Sequence, residues 1–214
     1  MNTNLRIGFG AAAVLLVAFP ACQMMTGEEL VTSGPSPTRS APTTPAPASS
    51  PAGLYSPESL RRTILTEIGA PEGLIVDDTK TGVAAIAFSP VGTGFDVIPI
   101  GFVDARTTSL NSTEAGGYLS WGALFETSPD AEHAFDLLVA EHESKDGWGL
   151  EPSADPNLGS ESVLYIGAAY GWDAAAIYVW RSENLVLAAV GMGEYDSTWV
   201  RDIAASMQFR ALNW

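Results

Sequence analysis

The sequence predicts an α+β domain: an antiparallel sheet of about six strands with helices packed on it, in the order helix, three strands, helix, three strands, helix. Three observations carry this. Ser56-Pro57-Glu58 and Ser128-Pro129-Asp130 each open a stretch with apolar residues at helical spacing. Six runs rich in apolar, β-branched and aromatic residues lie between and after these triplets, separated by turn-forming residues. In Leu185–Met192 both alternating sets are apolar, Leu185, Leu187 and Ala189 against Val186, Ala188 and Val190. The run at 163–169 behaves the same way, so the sheet is expected to be covered on both sides.

Each element has its own signal. Ser56 is a cap, Pro57 the first helical residue, and Leu60, Ile64, Leu65 and Ile68 form one face of a first helix, stopped by Gly69-Ala70-Pro71. Strands are expected at 82–89, 95–105 and 118–127. The second helix carries the stripe Ala131, Phe135, Leu138 and His142 and runs to about Glu143. Strands at 163–169, 174–181 and Leu185–Met192 follow, joined by the short turns 170–173 and 182–184. Asp196 caps a last helix that points Trp199, Val200, Ile203 and Met207 inward.

Composition fits one such domain with appendages. The 214 residues carry 10 basic and 25 acidic side chains, a net charge of -15, yet only 16% are charged while 46% are apolar. That excludes full disorder, a multi-span membrane protein and a basic nucleic-acid-binding domain. So strong an acidity repels phosphate backbones, and no nucleic-acid partner is expected.

The N-terminus supplies an address. One Arg precedes an uncharged run at 7–19, which is followed by Pro20, Ala21 and Cys22. The run is too short for a membrane span and has the layout of a signal peptide, residues 1–21. Phe19-Pro20-Ala21-Cys22 resembles a bacterial lipobox, with Phe19 and Pro20 in place of its usual Leu and small residue. The resemblance implies a mature chain that starts at Cys22, acylated with diacylglycerol and palmitate, and a lipid bilayer as first partner. Cys22 is the only cysteine of the chain, which suits a residue kept for lipidation; the alternative is a plain secreted protein with a free thiol.

Residues 22–53 read as a linker. The stretch 34–53 has six prolines and one charge, Arg39, so an extended spacer is expected. Some 30 residues of it could reach on the order of 90–100 Å. A single extracytoplasmic domain then occupies 54–214.

The segment from Leu158-Gly159-Ser160-Glu161-Ser162 through Ser182-Glu183-Asn184 to Val190 resembles the C-terminal half of small actinobacterial cell-envelope lipoproteins. Its element order is similar to the PsbP-like sandwich and to sensor-type extracellular domains. Ser160 stands where that pattern has Asp, and Glu183 where it has Gly. The resemblance implies a fold and a cell-envelope location, with ligand carriage or partner binding as the expected role.

Catalytic motifs are missing from the sequence. No Gly-x-Ser-x-Gly elbow or Ser-x-x-Lys occurs. His133 and His142 lie nine residues apart on one helix, on opposite faces, and cannot form a zinc pair. His142 reads as a helix-end residue at the core edge. Asp77-Asp78 and the acidic stretch 146–155 lack EF-hand spacing and read as solvated loops, so no metal and no cofactor is expected. Two tryptophans stand beside glycine in loops, Trp148 (Gly147-Trp148-Gly149) and Trp172 (Gly171-Trp172-Asp173), and are the candidates for ligand or partner binding. Alanines at 168, 169, 174–176, 188 and 189 either let a helix pack close or leave a cavity for an apolar ligand.

The leading expectation is therefore a non-enzymatic, membrane-tethered extracytoplasmic lipoprotein that binds an apolar small molecule or an envelope protein. The alternatives are a carboxylate-dependent hydrolase of cell-wall or surface polymers and a purely structural surface module. The anchor has a direct test: Cys22→Ser should move the protein from the detergent phase of partitioned host membranes to the aqueous phase. A wild-type chain already found in the aqueous phase would remove the anchor.

Overall fold

The computed structural model describes residues 54–87, 98–112, 116–144, 149–153, 156–169 and 171–213. Cys22, the linker and Trp148 lie outside them. In chain order the elements are α1 (Pro57–Thr63), β1 (Leu74–Thr81), α2 (Val83–Ile86), β2 (Phe102–Ser112), β3 (Gly117–Phe125), α3 (Ser128–Ser144), β4 (Glu151–Pro152), β5 (Glu161–Ala169), β6 (Trp172–Ser182), β7 (Leu185–Met192) and α4 (Ser197–Leu212). The class is α+β as expected, with seven strands and four helices rather than about six and three.

All seven strands form one antiparallel sheet in the order β1-β2-β3-β7-β6-β5-β4. Two meanders, β1 to β3 and β4 to β7, meet where β3 pairs with β7, and α3 carries the chain from the centre of the sheet to its far edge. Both faces of β7 are buried, as its double apolar pattern required. Leu185, Leu187 and Ala189 face the core under α1 and α4, with Leu60, Ile64, Trp180, Ile203 and Met207. Val186, Ala188 and Val190 face the core under α2 and α3, with Ile86, Trp121, Phe135 and Leu138.

The buried alanines resolve as spacers for large neighbours, whereas Ala174 is exposed. Trp121, wholly buried, lies in register with Ala188, and Tyr178 with Ala189. Ala175, Ala176, Ala188 and Ala189 are buried at 0–4% exposure, small beside large, which is how a close-packed interior fills its volume.

Local chemistry sets the helix ends. In α1 the Ser56 hydroxyl accepts from the Ser59 N–H at 3.2 Å, completing a capping box, and Arg61 and Arg62 both pair with Glu58. The helix ends at Thr63, short of the expected Ile68, which is 79% exposed. Its terminus is closed from outside: the Arg210 guanidinium on α4 donates to the carbonyls of Arg62 and Ile68, replacing a further helical turn. In α3 the cap is Thr127 rather than Ser128, its hydroxyl accepting from the Asp130 N–H at 3.3 Å. Asp196 caps α4 through the Thr198 N–H at 2.7 Å.

The first half of the sheet departs from expectation. The run starting at Gly82 is no strand over its described part; Val83–Ile86 is one helical turn that packs on Trp121, whose indole N–H donates to the Ala85 carbonyl at 2.9 Å. The strand at this place is β1, whose Asp77, Asp78, Thr79 and Lys80 hide its period. It is an edge strand, and a bulge at Asp77 with charges on the rim protects such an edge from pairing with another chain. Asp77 and Asp78 are thus strand residues, with Asp78 paired to Lys80, and not loop residues. Likewise β2 runs on to Ser112, well past the expected end at Ala105.

One buried amide ties the N-terminal strap to the sheet. Asn184, in the β6–β7 turn and 2% exposed, accepts from the Tyr55 N–H (2.7 Å) and donates to the carbonyls of Tyr55 (3.1 Å) and Phe125 (2.8 Å). Beside it Glu183 takes the left-handed conformation, φ 49°, which explains why Gly suits this position in the pattern it resembles.

Asn184→Ala removes three bonds and strands buried backbone groups, so a loss of about 3 kcal/mol is expected in denaturant unfolding. Asn184→Asp should lose nearly as much, because a carboxylate has no N–H to give. A second expectation concerns alkali. Tyr55 and Tyr165 are each pushed up to about 12, first by burial and then by Glu183 and Glu143 respectively. Between pH 10 and 12 the unfolded chain releases protons that the folded chain keeps. Stability should therefore be flat with respect to these groups below pH 10 and fall above it, by roughly 1.4 kcal/mol per pH unit for each tyrosine. Tyrosinate absorbance and unfolding midpoints across that window check it.

Candidate functional site

The structure keeps the two histidines apart. His133 is exposed and His142 buried, so the two do stand on opposite faces of α3. His142 Nδ1 lies 2.7 Å from the Leu138 carbonyl, and its ring stacks on Tyr165 with centroids 4.7 Å apart. That is the core-edge role expected of it. No group of three or more His, Cys, Asp or Glu side chains placed to hold a metal occurs among the described residues.

Of the two candidate tryptophans, Trp148 lies outside the described residues. Trp172 opens β6 and is 51% exposed. Its indole rests against Gly193, the first residue after β7. A Cβ built on Gly193 would come within 3.0 Å of the ring, and its φ of 74° is one that glycine adopts without strain. The Gly193 N–H donates to the Ala174 carbonyl at 2.9 Å, which holds the two segments together.

Around this ring a concavity of about 420 Å³ is lined by Gly116, Trp172, Asp173, Ala174, Gly193 and Glu194. Three connections meet there because the register forces them to: Met192 pairs with Gly117 on one side and Ala175 on the other. The β2–β3, β5–β6 and β7–α4 turns therefore share one end of the sheet. Gly116, with φ 86°, lets the first of them approach the Glu194 backbone. Asp173 and Glu194 bring two carboxylates, both exposed, and neither has a basic partner among the described residues.

A second concavity, about 590 Å³, lies between α4 and the segment 69–72, with Trp199, Asp202 and Glu72 in its wall. Its aromatic ring is committed elsewhere. Trp199 packs edge-on against Tyr118 at 5.6 Å, the Tyr118 hydroxyl accepts from the Asp196 N–H, and Asp202 pairs with Arg201. Trp199 is thus a half-buried core residue, and Trp180 is wholly buried.

Trp172 was legible from its neighbours, Gly171 and Asp173. Glu194, Gly116 and Gly193 were missed. Their only sequence signal is a glycine in each turn, and it becomes readable once β3, β7 and β6 are known to pair.

No protein-family profile matches the chain, and no curated protein matches it in sequence. Among solved structures it is similar to the extracellular domain of PknH from Mycobacterium tuberculosis, with 11% identity and a TM-score of 0.53 over 76% of this chain and 99% of that one. At that identity the likeness is one of fold, and it agrees with the extracellular-domain fold expected from the element order.

Proposed function

We propose that this chain is a non-enzymatic, extracytoplasmic binding domain held at the membrane by an acylated Cys22, and that it binds its ligand in the concavity at Trp172. The carrying observation is the half-exposed indole laid on Gly193 beside an open concavity, since large aromatic anchors next to a pocket are what binding sites retain at a surface. The fold it shares with an extracellular domain supports the location, and no described helix is long and apolar enough to cross a membrane.

Placement within the domain supports the same reading. The strap enters at Tyr55, clamped by Asn184 at the start of β7, whereas Trp172 sits beside the end of β7. Strap and concavity are therefore at opposite ends of an eight-residue strand, roughly 25 Å apart. The clamp at Tyr55 thus stands away from the Trp172 concavity. Binding is favoured over the hydrolase alternative because a general acid needs a carboxyl withdrawn from water, and Asp173 and Glu194 are both exposed.

The test is native mass spectrometry of the full chain from its own host, wild type beside Trp172→Ala. A bound mass lost in the variant, with an unchanged melting temperature, supports the reading. An unliganded wild type, or an occupancy that the variant keeps, sinks it.

A further inference from the structure

We infer that the Trp172 concavity recognises a small organic ammonium ion; this rests on the proposed binding site and names its ligand class. The chemistry of the lining carries it. Gly116, Ala174 and Gly193 offer little side chain, so among the described lining residues the groups that can select a ligand are one indole and the carboxylates of Asp173 and Glu194. No Lys, Arg or His is among the described lining residues. A minority of the domain's carboxylates hold a cation, among them Glu58 with Arg61 and Arg62, Asp78 with Lys80, Glu161 with Arg181 and Asp202 with Arg201. The two in the concavity have none among the described residues, and the chain's net charge of -15 adds a field that gathers cations.

Other ligand classes fit this wall less well. An anion meets two carboxylates with no compensating base. A purely apolar ligand would cover Trp172 but take water from the carboxylates without replacing it. An ammonium group satisfies both parts at once, because its charge is attracted by the face of an indole, the strongest aromatic partner for a cation, and by the carboxylates beside it. About 420 Å³ also lies within the roughly 300–1,000 Å³ typical of small-molecule pockets.

The experiment follows the Trp172 indole N–H resonance of the full chain, assigned by its loss in Trp172→Phe, during titration with four probes. These are choline, ethanolamine, dimethylbutanol (the uncharged carbon isostere of choline) and N-acetylglucosamine. Saturable shifts with choline or ethanolamine, weakened by salt and absent with dimethylbutanol, are expected; the stronger of the two distinguishes a quaternary from a primary ammonium. Trp172→Ala, followed by calorimetry, should cost about fivefold or more in affinity. Asp173→Asn combined with Glu194→Gln should cost about tenfold while the melting temperature holds. Equal shifts with dimethylbutanol, or a response to the sugar alone, would overturn the ammonium assignment and leave the binding site standing. No shift with either ammonium probe, or an affinity indifferent to the two carboxylates, also overturns it.

Discussion

A strand that is apolar on both faces cannot sit at the surface of anything, and β7 is such a strand. Its Leu185, Leu187 and Ala189 need one helical layer and its Val186, Ala188 and Val190 another. The rest of the architecture follows from satisfying both. Strand β7 must lie inside the sheet, between β3 and β6, and α1 with α4 must close one side while α2 and α3 close the other. Large rings then divide between the two cores, Trp180 under α4 and Trp121 under α2, each wholly buried. With both faces of β7 occupied, the centre of the sheet is reached at its ends, and the ends are where the turns bring variable chemistry together.

How much of this could be read from the chain depended on how far each element obeyed its own period. The strands β5, β6 and β7 and the helices α3 and α4 were legible because their apolar residues repeat cleanly and their caps, such as Asp196, are strong. Strands β1 and β2 were not. Asp77, Asp78 and Lys80 guard an exposed edge, and Thr107 and Thr108 are buried although polar, so the hydropathy pattern pointed instead to the apolar run after Gly82. There Val83–Ile86 coils into one turn against Trp121, whose indole N–H donates to the Ala85 carbonyl, a tertiary contact with no local trace. The end of α1 was missed for a similar reason: what closes it is Arg210, from the far end of the chain.

The candidate site divides along the same line. A tryptophan between Gly171 and Asp173 announces itself in any turn. Its companions Gly116 and Glu194 lie far away in sequence and join it only through the β3–β7 and β6–β7 pairings. Nothing local marks Glu194 as different from the domain's many other acids; its meaning comes from the shelf that Gly193 makes for the indole.

The Asn184 clamp has a mechanical consequence. A pull on the chain ahead of Tyr55 is not delivered to an edge strand, where hydrogen bonds could be unzipped one after another. It passes through the Asn184 amide into the turn between β6 and β7 and into Phe125 at the end of β3, three strands that occupy the middle of the sheet. Load is shared there among neighbours braced on both sides. The far end of β7, at Gly193 and Trp172, lies outside that load path.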